Sequence, residues 1–262
     1  MSPDFLQTFL LAFIQSATEF IPVSSSAHLL LFQSFGWTHQ GVFSDVAMHA
    51  GTLLAVLVYF YQDIYKMICH LFDNGPEHRL ARNLVIATLP IIVGGALGAE
   101  VIMHLRVPAV IAGTSIIFGI LLYISDRLTY AGTDLRSMTA LEALCIGLGQ
   151  VLSLVPGVSR SGITITCCRA LGFSRRESTR FAMLLSVPTI SAAAAYMCYL
   201  AWRNREWNLI FNMDTLIGTC LSAVMGLLVI RFLMRWVRRS SFGVFVVYRI
   251  LLGLFIFYYF CV

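Results

Sequence analysis

Phe20-Ile21-Pro22-Val23-Ser24-Ser25-Ser26-Ala27-His28 and Pro156-Gly157-Val158-Ser159-Arg160-Ser161-Gly162-Ile163-Thr164 are the stretches whose reading decides the fold. Each falls near the middle of an apolar segment, residues 4–34 and 139–172 respectively. Proline removes a backbone donor and turns the preceding residue away from helix, so each segment breaks where a spanning helix would have to continue. Neither half is long enough to cross a hydrocarbon core of about 30 Å alone. The pattern predicts two re-entrant helical hairpins. Irregular backbone survives at such depth only when it is buried in protein or lines a polar cavity.

Around these hairpins lie six uninterrupted apolar segments, about 46–68, 84–104, 109–126, 178–202, 213–236 and 243–262, each long enough to span. The 262 residues are 58% hydrophobic and only 12% charged, half the charge of a typical soluble domain. That composition excludes disorder, nucleic-acid binding as the main activity and an ordinary soluble globule. The expected fold class is an all-α polytopic membrane protein with six transmembrane helices and two re-entrant hairpins. The seven cysteines never form C-x-x-C and are expected as buried, reduced thiols.

The halves repeat. Pro22 and Pro156 stand 134 residues apart, and shifting the first three spans by that interval lands close to the last three. Residues 1–130 and 135–262 are thus two copies of one hairpin followed by three spans, within a single membrane domain. Three is odd, so the second copy is expected upside down, an inverted-topology repeat. Paired interrupted segments in such repeats point to a midplane site. With both termini placed outside, twelve of the 18 Lys+Arg fall on the inner side and only Arg106, Arg203 and Arg205 on the outer. The positive-inside rule favours that orientation. No Lys or Arg precedes Lys66, so the N-terminus lacks the basic region of a signal peptide.

Chemistry concentrates at the two breaks. Gln15 and Glu19 are four apart and share a helix face. An ionised carboxylate at bilayer depth costs at least about 2.5–3.5 kcal/mol on insertion scales, so Glu19 needs an opposite charge, a metal or a captured proton. Ser24 and His28 are also four apart, with Ser25 and Ser26 between them, so hydroxyl and imidazole are expected to project together. In the second break Arg160 and Thr164 share a face, and Ser159 and Ser161 can cap the helix that follows. A glycine-rich turn entering a helix N-terminus is an anion site, and the arginine fork suits phosphate oxygens. Joined across the midplane, these groups suit hydrolysis of a phosphoric anhydride, in which positioning and charge neutralisation dominate. Among the remaining polar residues, Asp45 and His49 are expected to line an entrance or cap a helix, Arg249 to steady a hairpin or pair with a carboxylate, and Phe255 to Phe260 to face lipid.

Gln15-x-x-x-Glu19 running into Phe20-Ile21-Pro22-Val23-Ser24-Ser25-Ser26-Ala27-His28, together with Pro156 to Thr164, resembles the bacitracin-resistance type of undecaprenyl-diphosphate phosphatase, an integral enzyme of the bacterial inner membrane. The similarity extends through Phe43 to Val56 and through Val247-Tyr248-Arg249. The resemblance implies removal of the terminal phosphate from a polyprenyl diphosphate lipid in cell-wall carrier recycling. It also implies a divalent cation, Mg2+ or Ca2+, with Glu19 as a ligand. It implies catalytic roles for Glu19, Ser25, His28 and Arg160, and substrate binding by Gln15, Ser24, Ser26, Ser159, Ser161 and Thr164. The family motif admits Glu or Gln at the first position. As a neutral amide, Gln15 is expected to orient metal-bound water or phosphate. His28 and Ser25 remain alternatives for the nucleophile. The expected surroundings are the bilayer and the lipid substrate, without nucleic acid, and a homodimer is compatible with the chain. A membrane carrier for polyprenyl phosphates is the rival reading, because inverted repeats around a midplane site also build transporters. The other large class of lipid phosphatases needs a P-S-G-H stretch, which this chain lacks.

Overall fold

A computed structural model of the chain describes residues 3–34, 42–129, 132–204 and 213–262. Every regular element among them is helical: α1 Pro3–Phe20, α2 Ser25–Ser34, α3 Val42–Tyr59, α4 Tyr61–Cys69, α5 Pro76–His104, α6 Pro108–Leu128, α7 Ala140–Val151, α8 Arg160–Ala170, α9 Arg175–Asn204, α10 Met213–Trp236 and α11 Gly243–Cys261. The extended chain contributes only one isolated bridge, Thr133 to Phe173. Five helices are long and apolar enough to cross a membrane, and a sixth span is made if α3 and α4 count together. The chain is a multi-pass membrane protein.

The first span differs from its expected form. In place of one helix over 46–68, α3 and α4 meet at 74°. Phe60 supplies the bend with φ −101° and ψ 23°, in the sparsely populated bridge region. On the far side of the bend, Asp63 is held by Arg180 of α9. That pairing fixes the direction of α4. The apolar segments 4–34 and 139–172 break as expected, into α1/α2 and α7/α8. At 1.5 Å per residue α2, α7 and α8 are about 15–18 Å long and α1 about 27 Å, all short of the hydrocarbon core.

Lipid competes with helices for apolar surface, so packing here relies on close backbone approach rather than on the hydrophobic effect. The main contacts are α3 on α10, α6 on α11, α5 on α7 and α1 on α10. Gly51 allows the first of these: a Cβ there would lie 2.3 Å from the Thr219 carbonyl oxygen. Gly147 does the same for α7 on α5, where a Cβ would lie 2.6 Å from the Ala87 oxygen. The outward surface is apolar, and Phe255, Phe257, Tyr258 and Tyr259 are exposed on it. The cysteines correct the expectation of burial. All seven are free, but five are exposed on that outer surface and only Cys168 is fully buried. In a bilayer an outward face is dry without being buried in protein.

Two ionic clusters tie the helices together: one joins α8 and the start of α9 to α6, the other joins α9 to α4. Asp126, near the end of α6, receives Arg169 Nε at 3.1 Å and both Nε and Nη2 of Arg175, at 2.7 and 2.9 Å. Arg169 also donates to the carbonyls of Asp126, Thr129 and Phe173. Arg180 joins Glu177, at 3.0 Å, to Asp63. Arg205 and the side chain of Asp45 lie outside the described residues.

Candidate active site

Both breaks use the same local device. Ser24 and Ser159 carry positive φ, 80° and 70°, and are the non-glycine residues among those described that do so. Serine in that region costs on the order of 1–3 kcal/mol unless its surroundings hold it. Ser159 Oγ accepts from the Gly162 amide at 3.2 Å, capping α8. Within each turn the serine two residues on lies close, with Ser24 to Ser26 at 3.1 Å and Ser159 to Ser161 at 3.3 Å. The second serine of each pair then reaches across. Ser26 Oγ accepts from the Gly157 amide at 2.8 Å, and Ser161 Oγ donates to the Ile21 carbonyl at 3.4 Å. Each turn is thus closed by a hydroxyl of the other.

Beside this exchange Arg160 Nη2 donates to Glu19 Oε1 at 2.6 Å, with only 14% and 8% of the two side chains exposed. Residues 141 positions apart form the partnership that a carboxylate at depth requires. Gln15 Nε2 donates to the other carboxylate oxygen at 3.4 Å and lies 3.2 and 3.3 Å from the ring nitrogens of His49, whose Nδ1 stands 3.6 Å from Glu19. Ser25 opens α2 and is half-buried. Thr164, one turn beyond Arg160, is buried at 1% exposure.

Three buried polar atoms here have no protein partner: Arg160 Nη1, Thr164 Oγ1 and Arg249 Nη1. Buried donors are almost always satisfied, so unmatched donors clustered on one helix start indicate an acceptor-rich ligand. Arg249, fully buried on α11, donates through Nε to Ser115 and through Nη2 to the carbonyls of Gly157 and Val158, at 3.1, 2.9 and 3.0 Å. It grips the second turn without pairing with a carboxylate. Gly157 is required at that turn: its φ is +93°, and a Cβ would lie 2.0 Å from Thr114 Oγ1.

His28 departs from the expected arrangement. Its Nδ1 meets the main-chain oxygen of Ser24 at 2.7 Å, while the Ser24 hydroxyl faces Ser26. The ring folds back onto the carbonyl one turn earlier, and its Nε2 meets Tyr248 of α11 at 2.5 Å. Tyr248 and the Asp126 cluster were not singled out by the sequence. The signal for Tyr248 was its place in the Val247-Tyr248-Arg249 stretch that the resemblance covers.

A helical multi-pass membrane protein with two broken helical segments meeting at a buried arginine–carboxylate pair is the class that this fold and site define. The chain belongs to the family described as Bacitracin resistance protein BacA, whose model matches residues 8–255. It is 41% identical to a protein of Saccharophagus degradans named undecaprenyl-diphosphatase, over 95% of this chain and 96% of that one. Proteins of the same name from Teredinibacter turnerae and Alcanivorax borkumensis are each 40% identical, over 97% and 95% of this chain and 98% and 97% of theirs.

Proposed function

We propose that the chain removes the terminal phosphate of undecaprenyl diphosphate, returning the monophosphate carrier lipid and free phosphate and so conferring resistance to bacitracin. The observation that carries this reading is the Arg160–Glu19 contact with Arg160 Nη1 left unpaired beside Thr164. An entering phosphate takes the vacant nitrogen, the Thr164 hydroxyl and the positive end of α8, which act together on one anion. As the nucleophile bonds to the terminal phosphorus, the bond to the bridging oxygen breaks and charge moves onto the departing monophosphate; water then cleaves the phosphoryl–enzyme bond and releases free phosphate. Arg160 neutralises that charge in a site screened from water. Ser25 and His28 are the nucleophile candidates, with Ser24, Ser26, Ser159 and Ser161 holding the two turns in register.

A divalent cation fits the donor set in part. The Glu19 carboxylate is a hard oxygen donor and the Gln15 amide that lies against it carries a second, and among the described residues no group of three or more His, Cys, Asp and Glu forms a cage. That is the donor set of Mg2+ held mainly by water and phosphate oxygens. When bound, the cation would neutralise phosphate charge. Glu19 and Gln15 would hold it.

The same reading takes α1/α2 and α7/α8 as re-entrant hairpins entering from opposite sides, in two inverted repeats, 1–130 and 135–262, of one membrane domain. The reciprocal serine bonds and the matched packing of α1 on α10 and α7 on α5 support it. Both termini then lie outside the inner membrane, and the first hairpin opens toward outward-facing substrate. Purified protein supplied with undecaprenyl diphosphate and Mg2+ tests the assignment. Phosphate release that vanishes in Arg160→Ala supports it; lipid movement across vesicles without phosphate release makes the chain a carrier.

A further inference from the structure

Two neighbouring residues of α11 touch both hairpins. Arg249 holds the Gly157 and Val158 carbonyls of the second turn, and Tyr248 holds His28 of the first. The contacts of His28 define its proton inventory. A main-chain carbonyl only accepts, so Nδ1, 2.7 Å from the Ser24 oxygen, carries the hydrogen of the neutral ring. Nε2 is then the lone-pair nitrogen, and the Tyr248 hydroxyl donates to it at 2.5 Å. The ring planes are within 12° of parallel and the centroids 5.6 Å apart, which keeps Nε2 directed at the phenol. After the ring takes a proton the roles reverse, and Nε2–H donates to the phenol oxygen. The contact therefore survives a full protonation cycle.

We propose that Tyr248 is a positioning residue for the reaction, fixing His28 in the Nδ1–H tautomer and presenting Nε2 as its single basic nitrogen, while Arg249 beside it sets the distance between the two hairpins. The proposal rests on the phosphatase reading for its kinetic consequence but not for its geometry. With Nδ1 bonded to a carbonyl, Nε2 is the one ring nitrogen of His28 that carries a lone pair, whether the ring serves as base or as nucleophile.

The test is Tyr248→Phe, which keeps the ring and removes the hydroxyl. Nitrogen-15 spectra of histidine-labelled protein, with His28 assigned by its loss in His28→Asn, are expected to show a single Nδ1–H tautomer in the parent and a mixture in Tyr248→Phe. Turnover is expected to fall about tenfold, the worth of one hydrogen bond to a group that becomes charged, with KM within about twofold. In a His28→Ala background the same substitution is expected to leave the residual rate unchanged, since the two residues act as one unit. An unaltered tautomer in Tyr248→Phe overturns the proposal. So does an equal fall in rate in both backgrounds. A parent that releases no phosphate overturns the phosphatase reading instead, and the spectra still decide whether Tyr248 sets the tautomer.

Discussion

Arg160→Lys separates the two duties of the guanidinium. Arg160 binds Glu19 through Nη2 at 2.6 Å and keeps Nη1 buried and unpaired. Lysine retains the charge and can still pair with Glu19, so the buried carboxylate is not abandoned and the roughly 3–5 kcal/mol penalty of breaking a buried pair does not fall due. What lysine lacks is a second nitrogen in a fixed plane. If Nη1 meets a phosphate oxygen, its loss removes one charge-assisted hydrogen bond, about 1.5–3 kcal/mol. At about 1.4 kcal/mol per factor of ten, kcat/KM falls roughly 10- to 150-fold. Thermal unfolding in detergent is expected to stay within about 2 °C of the parent. The assay is phosphate release from undecaprenyl diphosphate, with Arg160→Ala as the reference for loss of both duties. Near-parent turnover in Arg160→Lys would refute the two-nitrogen argument, and a collapse in stability would show that the Glu19 pair is not preserved.

Gln15→Glu is expected to keep activity within a few-fold, because the amide stands beside Glu19 as an orienting group; complete loss measured by phosphate release would contradict that role. Asp126→Asn removes the shared partner of Arg169 and Arg175 and is expected to lower stability by about 3–5 kcal/mol. Its KM should hold, since Asp126 sits about 16 Å along α6 from the Ser115 carbonyl that Arg249 grips; denaturant unfolding and steady-state kinetics check the pair of statements. Chelation of divalent cations is expected to stop phosphate release and added Mg2+ to restore it, with full activity in chelator counting against Glu19 and Gln15 as cation ligands.

The two breaks in the apolar segments were legible because their breakers are local. Proline and serine in an apolar run announce a turn, and Glu19 and Arg160, each too costly to leave alone in lipid, named one another at a separation of 141 residues. The bend at Phe60 was not legible. Val58-Tyr59-Phe60-Tyr61-Gln62 contains no breaker, and α4 takes its direction from Arg180, far along the chain. His49 was expected at an entrance or a helix cap, and its actual place beside Gln15 and Glu19 depends on how α3 rotates against α1, which hydropathy does not encode. Asp126 gave no signal of its own in the sequence, yet it holds Arg169 of α8 and Arg175 of α9 together. The expectation for His28 was a serine hydroxyl beside the imidazole; the ring meets the Ser24 main-chain carbonyl instead, and its other nitrogen meets Tyr248 of the last helix.

The serine exchange explains why two breaks are needed. A single break inside an apolar helical protein leaves amides and carbonyls open, where an unsatisfied buried group is costly. Here Ser26 of the first turn accepts the Gly157 amide and Ser161 of the second donates to the Ile21 carbonyl, so either turn alone would lose its partner. The positive φ of Ser24 and Ser159 is sustained by the same mutual closure. Once the turns have satisfied one another, the groups still open at their junction are the Arg160 and Arg249 nitrogens and the Thr164 hydroxyl. All three can donate and two are cationic, so the pairing that makes the fold tolerable in lipid also leaves a site whose chemistry calls for an anion.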